Sequence, residues 1–440
     1  MNGELYISVL TLNCWGILSV SKDRYDRIQA IAKFLKTGRF DIICLQELWL
    51  ENDFNVIKEE VSKVLPHSHY FHSGVLGSGL CIFSRWPFEA IIFHQWSLNG
   101  YIHKIFHGDW FGGKGVGLCR IKAQGVHVNI YTTHLHAQYN IDDDEYLAHR
   151  AVQAFDTAQF VRLTSDAAHI SILAGDLNTQ PEELCHQLIL HTAQLFDAYD
   201  AHTDDSEIGT YACSRNSYAD TKAVANNPFG ERIDHIFYRA GLGAEVKLEA
   251  YLMPLEERVP DCNFSYSDHE AISAKFKVIT TSNHAVPDCF IKNKEELQST
   301  LDRGLNVLSE AQQRLYWDKI CYWSVTTALI LGIITISIFS DFPQNYACFY
   351  QIMLVIFTCL IIFCSFMATV WNQIELNGLL STHKTMQALL NHVITYQSEP
   401  TNDYIIKSDD TFQNEEENQV HKRSKYTQGQ EHVKMMLQEI

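Results

Sequence analysis

Five short apolar segments of this chain end in, or enclose, polar side chains of the types that perform acid–base and metal chemistry. In chain order they read LTLNCWG, IICLQELW, YTTHLHA, ISILAGDLN and ERIDHIFY. Their polar residues are Asn13, Glu47, His134 and His136, Asp176 and Asn178, and Asp234. Any one of them alone is better explained as a turn or cap residue, because Asn and Asp are common where strands end. Five such segments in one region predict a shared site.

A sixth segment, SYSDHEAISAKFKV, places Asp268 and His269 immediately before a strand in which apolar residues alternate with polar ones. A histidine held by a carboxylate suits a general base near neutral pH, because the carboxylate fixes the tautomer and stabilises the imidazolium that forms. We therefore predict that His269 is the base and that Asp234 is its partner. A purely structural hydrogen bond between an aspartate and His269 is the alternative.

The carboxylates and the amide of this set suit a hard divalent cation. Mg²⁺ prefers a few protein oxygens and keeps several of its waters. We predict that Glu47 is the first ligand, with Asn13 and Asp268 close to it. Asp176 is predicted to align an attacking water molecule. The reaction implied is metal-assisted hydrolysis of a phosphate ester.

Neutral donors complete the predicted site. An amide at Asn178 and an imidazole at His134 can stabilise the charge that develops on phosphoryl oxygens. His136 is two residues from His134, so both side chains project from the same face of a strand. We therefore expect His136 to contact the substrate as well.

The glycine-rich segment HGDWFGGKGVG lacks the spacing of a nucleotide-binding loop and has no Ser or Thr after its lysine. A glycine-rich turn between two strands is one interpretation. The other is a mobile loop in which Lys114 approaches the substrate phosphate and Asp109 is its alternative partner. We hypothesise that the exchange of Lys114 between these partners gates activity when membrane lipid binds.

Composition excludes one class of substrate. The chain has 440 residues and a formal net charge of −18, so the backbone of a nucleic acid would be repelled. The twelve cysteines have no regular spacing, and several lie in apolar strand-like runs. We expect reduced core cysteines in a cytosolic domain. The N-terminus has the alternation of a strand, and we expect no signal peptide.

Short apolar strands and amphipathic helices interleave from Ile7 to Val278. One predicted helix spans Asp23–Lys36, capped by Ser21 or Asp23, and another begins in the acidic segment 142–145 and runs toward Val161. This pattern predicts an α/β or α+β domain, most simply two packed sheets with helices outside.

Beyond this domain the composition becomes strongly apolar. Two uncharged runs, 320–339 and 347–370, each have about the 20 residues that a membrane-spanning helix needs. The predicted divisions are a catalytic domain at 1–280, an amphipathic connecting helix at 281–319, a transmembrane hairpin at 320–370, and a cytosolic helix with an acidic tail at 371–440. Two buried core helices are the alternative to the hairpin.

The charges around the hairpin predict its orientation. The connector carries Asp341 and no Lys or Arg, whereas Arg314 and Lys319 flank the first span and Lys384 follows the second. Because basic residues favour the cytosolic side, we expect the catalytic domain to face the cytosol. The predicted location is the endoplasmic reticulum or another endomembrane, with the plasma membrane as the alternative.

Taken together, the polar motifs resemble those of the magnesium-dependent endonuclease/exonuclease/phosphatase superfamily. More closely, LNCWGI, GSGLCIFSR, NGY, HGDWFGGKGVGL, THLHAQY, YLAHR, GDLN, RIDHIFY and SDHEA resemble the neutral sphingomyelinases that carry a C-terminal transmembrane hairpin. The resemblance covers nearly the whole chain. Gln46 stands where relatives also carry an acid.

This resemblance implies a four-layered α/β sandwich that hydrolyses sphingomyelin to ceramide and phosphocholine with Mg²⁺. It implies a metal role for Glu47, a base role for His269 and phosphate recognition by Asn178. A phospholipase C acting on lyso-choline phospholipids would share every catalytic part. A phosphoinositide phosphatase would need more Lys and Arg than surround these motifs, and a catalytically inactive membrane scaffold is the non-enzyme alternative.

Overall fold

The computed structural model describes residues 4–104, 107–140, 143–201, 209–255, 257–280, 294–338 and 347–398. Within these ranges the strands form two six-stranded sheets. The first sheet contains β1 (Glu4–Asn13), β2 (Ile42–Gln46), β3 (His67–Tyr70), β4 (Cys81–Ser84), β11 (Ala244–Leu252) and β12 (Ile272–Thr280). Its order is β11-β12-β1-β2-β4-β3.

The second sheet is built in the same way. It contains β5 (Phe88–Gln95), β6 (Gly115–Ala123), β7 (Val126–His134), β8 (Ile170–Asp176), β9 (Phe196–Asp197) and β10 (Asp234–Ala240). Its order is β5-β6-β7-β8-β10-β9. Both sheets are mixed, since β1 and β2 run parallel, as do β7 and β8, while the other pairs are antiparallel.

The two sheets pack face to face over an apolar core. Alternate residues of β1 and β2, among them Ile7, Val9 and Ile42, are fully buried in one cluster with Ile130 of β7 and Ile172 of β8. This alternation is the pattern from which the strands were predicted. The core therefore fixes the register of the central strands of each sheet.

Helices cover the outer face of each sheet. Helices α1 (Arg24–Leu35) and α2 (Glu51–Val61) pack on the first sheet, and α4 (Leu147–Thr164) and α5 (Leu184–Ala193) pack on the second. Two short helices, α3 (Asp109–Gly112) and α6 (Thr221–Asn226), lie in loops. The predicted four-layered arrangement of two mixed sheets between helices is confirmed.

The helix starts differ in detail from the prediction. The side chain of Asp23 makes no cap hydrogen bond to α1 and instead accepts one from the Tyr218 hydroxyl at 2.8 Å. Helix α4 begins at Leu147, after the acidic segment, and Asp144 of that segment forms an ion pair with Arg150 in the helix. Residue 142 of that segment lies outside the described residues.

The C-terminal part of the described chain is helical. It contains α7 (Lys294–Ile338), α8 (Ala347–Phe366), a π-helical turn (Met367–Trp371) and α9 (Asn372–Ser398). The predicted connecting helix and first span form one continuous helix, α7, whose leucines pack on α4 and α5. Segments 281–293, 339–346 and the acidic tail from 399 lie outside the described residues. Residues 394–440 form a second unit, of which 394–398 are described.

Two helical stretches are long and apolar enough to cross a membrane. One is α7, Lys294–Ile338, and the other is Cys348–Thr395, which runs through α8, the π-helical turn and most of α9. In their most apolar windows only 6% and 17% of the residues are buried. Such exposure of large apolar side chains differs from that of a core helix in a soluble domain. The chain therefore has two candidate membrane-spanning helices.

Candidate active site

The predicted polar residues meet where strands of both sheets end. Asn13 is the last residue of β1, His134 of β7 and Asp176 of β8. In the second sheet Asp176 is aligned with His134 on one side and with Asp234 on the other. Strand register thus brings together residues that are far apart in the sequence.

His269 and Asp234 form the predicted pair. Nδ1 of His269 lies 2.8 Å from Oδ2 of Asp234, and both side chains are buried. Burial alone would lower the pKa of His269, but the carboxylates of Asp234 and Asp176 outweigh it and hold that pKa well above its usual value. The hydroxyl of Thr210 accepts hydrogen bonds from the backbone N–H groups of Ile233 and Asp234, each at 3.1 Å, which fixes the start of β10.

Asn13 lies between two carboxylates. Its Nδ2 donates to Asp176 Oδ2 at 2.9 Å and to Glu47 Oε1 at 3.2 Å, while its Oδ1 accepts from the backbone N–H of Trp15 at 2.9 Å. The amide therefore orients the carboxylates, and a role as a metal ligand stays a prediction. Burial raises the pKa of Glu47, and it raises that of Asp176 to about 6.

The backbone at the site adopts unfavourable conformations. Trp15, Glu47 and Asn178 have φ angles of 46°, 53° and 46°, in the left-handed region that non-glycine residues avoid. Such residues cost on the order of 1–3 kcal/mol each and cluster at functional sites. The backbone N–H of Gly16 donates to the Glu47 carbonyl at 3.0 Å, and a Cβ at Gly16 would overlap that oxygen. Only glycine fits this approach.

His134 faces the carboxylates from the other side. Its Nε2 lies 3.4 Å from Asp176 Oδ2, 3.9 Å from Glu47 Oε1 and 3.3 Å from Lys114 Nζ. Burial, helped by the charge of Lys114, holds the pKa of His134 well below its usual value. The ring is therefore neutral at physiological pH, as a neutral donor to phosphoryl oxygens would be.

Lys114 is buried in an ion pair with Asp109 and also donates to the Leu135 carbonyl at 3.1 Å. The Tyr139 hydroxyl donates to the same carboxylate at 2.6 Å. The ammonium group thus contacts its predicted partner Asp109 and also lies 3.3 Å from His134 Nε2. Gating by this pair stays a hypothesis.

His136 lies behind this ion pair. Its ring stacks on Tyr146 at 4.0 Å, and its Nε2 is 3.7 Å from Asp109 Oδ2. Burial lowers the pKa of His136 to about 4. In this arrangement His136 contacts the partner of Lys114, and its predicted contact with substrate stays a prediction.

Asn178 and Asp268 line the remaining sides. The Asn178 side chain donates to the Leu135 carbonyl at 3.0 Å, and its backbone N–H donates to Asp176 Oδ1 at 2.9 Å. Burial raises the pKa of Asp268 to about 6, and the negative charge of Glu47 contributes to that rise. The carboxylates of Asp268 and Glu47 therefore lie close enough for their negative charges to repel each other.

The donor set fits a divalent cation. Glu47 Oε2 and Asp234 Oδ1 are buried and have no hydrogen-bond partner within the described ranges. Ligand atoms of Asp176, Asp234 and His269 also lie within 4.8 Å of one another, but this group contains the predicted base and its partner and not the predicted ligands. Buried oxygens are almost always satisfied in proteins, and several carboxylates with raised pKa values are what a bound cation would neutralise.

A second buried cluster was not predicted. Asp197 Oδ2 lies 3.5 Å from His186 Nε2, 3.4 Å from His235 Nδ1 and 2.6 Å from Arg232 Nη1. Because the guanidinium already supplies a positive charge at that oxygen, a metal ion there is disfavoured. His235 Nε2 lies 2.9 Å from the Thr179 carbonyl, so the cluster supports the turn that carries Asn178. The only sequence signal was a histidine next to Asp234 in a buried strand.

Residues 10–269 match the Endonuclease/Exonuclease/phosphatase family. Sphingomyelin phosphodiesterase 2 of Homo sapiens is 37% identical over 76% of this chain and 78% of its own length. Inositol phosphosphingolipids phospholipase C of Schizosaccharomyces pombe is 30% identical over 85% of this chain and 92% of its own length. The two alignments, of 338 and 400 residues, are each longer than the predicted catalytic domain.

A solved structure of a Staphylococcus aureus beta toxin mutant with bound magnesium ions is 17% identical, with a TM-score of 0.45. It covers 61% of this chain and 99% of that chain. The family assignment depends on the match along residues 10–269 and on the identity with the human and yeast proteins. The chain therefore belongs to the Endonuclease/Exonuclease/phosphatase family.

Proposed function

We propose that this protein is a Mg²⁺-dependent phosphodiesterase that hydrolyses sphingomyelin to ceramide and phosphocholine, in the manner of a phospholipase C, at a membrane surface. The observation that carries the proposal is the convergence of a carboxylate-held His269 with the unsatisfied oxygen of Glu47 in one buried site. The name and the identity of the human relative support the choice of sphingomyelin.

The proposed general base is His269. With Nδ1–H donated to Asp234, its Nε2 faces Asn13 at 3.5 Å and Asp176 at 3.9 Å, and can take a proton from a water molecule there. Asp234 fixes this tautomer and stabilises the imidazolium after proton transfer. Asp176 is proposed to align the attacking water.

The proposed cation ligands are Glu47, Asn13 and Asp268. When bound, Mg²⁺ would supply positive charge that stabilises a phosphoryl oxygen and disfavours protonation of His269. Asn13 Oδ1 already accepts a hydrogen bond from the Trp15 N–H at 2.9 Å, which leaves it one further lone pair for a cation. Glu47 is the ligand on which the proposal chiefly depends.

The substrate phosphate is proposed to lie among His134, Asn178 and Lys114. Neutral His134 donates from an imidazole that does not compete as a base, and Lys114 contributes a point charge after it leaves Asp109. His136 is proposed to act at the same end of the site. The ceramide alkoxide departs as the phosphorus–oxygen bond to the lipid breaks.

We further propose that residues 1–280 form the catalytic domain on the cytosolic side and that α7 and α8 hold it at the bilayer. The substrate is itself a membrane lipid, so a tethered domain searches a surface and not a volume. The proposed membrane is the endoplasmic reticulum or another endomembrane, with the plasma membrane as the alternative. The charges that flank the two apolar helices support this orientation.

The test is phosphocholine release by the detergent-solubilised full chain from sphingomyelin and from a lyso-choline phospholipid, with Mg²⁺ or with a chelator. An inositol phosphosphingolipid, assayed by headgroup release, is the third substrate. We expect turnover of sphingomyelin that requires Mg²⁺ and that is lost in His269→Ala. Activity on the lyso-lipid or the inositol lipid, without activity on sphingomyelin, would refute the proposed substrate but keep the reaction. No headgroup release from any of the three substrates would refute the proposal that the protein is an enzyme of this kind.

A further inference from the structure

A surface loop next to the site exposes two large apolar side chains. In the rim loop, residues 73–79, Val75 and Leu76 are 79% and 56% exposed. Gly74 and Gly77 have φ angles of 56° and 93°, so the loop makes tight turns that push these side chains outward. Adjacent exposed apolar residues held on a folded loop are suited to contact with an apolar partner.

The rim loop is held firmly by α3. Backbone N–H groups of Val75 and Leu76 donate to the Phe111 carbonyl at 3.1 and 3.2 Å. Gly74 packs so closely on Gly113 that a Cβ there would lie 2.7 Å from the Gly113 nitrogen. The apolar tip is therefore presented by an anchored backbone.

Helix α3 also contacts the end of the second apolar helix. Trp110 of α3 lies with its ring 6.3 Å from that of Trp371, which ends the π-helical turn after α8. One short helix thus connects the rim loop with the point at which an apolar span reaches the catalytic domain.

Two further contacts join α7 to the same region, near the end of the π-helical turn. Asn372 Nδ2 donates to the Leu315 carbonyl at 2.9 Å, and Arg314 donates to the Tyr101 hydroxyl at 2.9 Å. Directly after Leu315, Tyr316 and Trp317 are exposed. Tyr and Trp favour the boundary between lipid and water. If these helices cross a bilayer, as proposed, the boundary of both spans therefore lies at the loops of the catalytic domain that surround α3.

We infer that the rim loop is a second membrane-contacting element, whose Val75 and Leu76 side chains enter the same lipid bilayer that α7 and α8 cross. The inference rests on the proposed membrane setting of these two helices. A bilayer is the partner that fits, because the loop is continuous, through α3, with the boundary of the spans and presents apolar side chains without charge.

This contact would place the opening of the candidate active site against the bilayer. At the end of the rim loop the Gly79 carbonyl accepts from the Leu48 N–H at 3.0 Å, next to Glu47, and Gly113 precedes Lys114. A lipid phosphate could then reach the ammonium and carboxylate groups while its acyl chains stay in the membrane. The rim loop would thus shorten the path by which the substrate leaves the bilayer.

The test uses the full chain in phosphatidylcholine vesicles, with a photoreactive benzoylphenylalanine in place of Val75. The matched control replaces Leu163, which is 71% exposed at the end of α4. There the Thr164 carbonyl accepts from Asn129 near the start of β7, far from the site end of that strand. The positive control replaces Ile334 in the apolar part of α7.

After irradiation, mass spectrometry should find lipid adducts at positions 75 and 334 and none at 163. Adducts at 334, without adducts at 75 above the level at 163, would overturn the inference. Crosslinking requires no catalysis, so failure of the inference is separated from failure of the proposed function, which is determined from headgroup release.

A second measurement keeps the inference testable by activity. In Val75→Ser/Leu76→Ser, turnover of sphingomyelin in vesicles should fall on the order of tenfold, because burial of the two side chains no longer holds the opening of the site against the lipid. Turnover in detergent micelles should stay within about twofold of the wild type, as should both activities of Leu163→Ser. Equal losses on vesicles and micelles, or no loss on vesicles, would contradict the inference.

Discussion

Replacing Asp234 with Asn tests the role of the pair at the centre of the site. The substitution keeps size and shape but removes the charge 2.8 Å from Nδ1 of His269. An asparagine can also turn its NH₂ toward Nδ1 and so stabilise the tautomer that carries its proton on Nε2. Nε2, the nitrogen that faces the site, would then have no lone pair to accept a proton from water.

The magnitude follows from the geometry. Two unit charges 2.8 Å apart interact by about 6 kcal/mol at an effective dielectric constant of about 20. The variant no longer buries the Asp234 charge, and the desolvation energy that it avoids offsets part of this lost attraction. An increase of about 3–5 kcal/mol in the activation barrier remains. Turnover should therefore fall roughly 10²- to 10⁴-fold, the range that general-base catalysis supplies.

The pH profile gives a second readout with a defined sign. In the wild type the Asp234 and Asp176 carboxylates hold the pKa of His269 high against the effect of burial. Without the Asp234 charge that pKa falls, so the residual activity should persist to lower pH than in the wild type.

The assay is Mg²⁺-dependent phosphocholine release from detergent-dispersed sphingomyelin between pH 5 and 9. Asp166→Asn, which removes an exposed carboxylate, is the matched control, and thermal unfolding tests whether both variants are folded. An Asp234→Asn enzyme that keeps most of its turnover and an unchanged pH profile would refute the pairing as a catalytic device.

Three further outcomes follow from the site. Gly16→Ala should displace the Glu47 backbone and raise the Mg²⁺ concentration needed for half-maximal turnover, and an unchanged Mg²⁺ requirement would contradict this. Arg232→Ala should destabilise the fold by about 3–5 kcal/mol in chemical denaturation, because it removes the guanidinium and leaves the buried Asp197 carboxylate with only two imidazoles beside it. An unchanged midpoint would argue against that. Mg²⁺ should raise the unfolding temperature more at pH 7.5 than at pH 5, because a carboxylate such as Asp176, with its pKa raised to about 6, stabilises the fold only while it is protonated. That contribution is lost as pH rises from about 4 to about 6, and the cation offsets the loss. A shift that is independent of pH would contradict this account.

The strands that carry the site were predictable because they are central in their sheets. A central strand such as β8 is buried along its length and reads as an apolar run, and its polar end then stands out. Strands β3 and β11 lie at sheet edges, where residues such as His67 and Glu249 leave little apolar pattern, and they were not predicted.

The orientation of side chains within the site was harder to predict. Sequence patterns place Asn13 and Asn178 at strand ends, but the structure turns the Asn13 amide toward the carboxylates and the Asn178 side chain toward the Leu135 carbonyl. The cluster around Asp197 joins residues from three separate segments, so no local spacing signals it. Tertiary packing, which the pattern does not contain, decides these details.

The most direct test of the central claim compares wild type with Glu47→Gln in a Mg²⁺ titration of phosphocholine release from sphingomyelin. Glu47→Gln preserves the hydrogen-bonding shape but removes the charge proposed to hold the cation. We predict saturable Mg²⁺ activation of the wild type, and a variant that needs far more Mg²⁺ or stays inactive at every concentration. A variant with the turnover and Mg²⁺ dependence of the wild type would show that the reaction does not depend on this site as described.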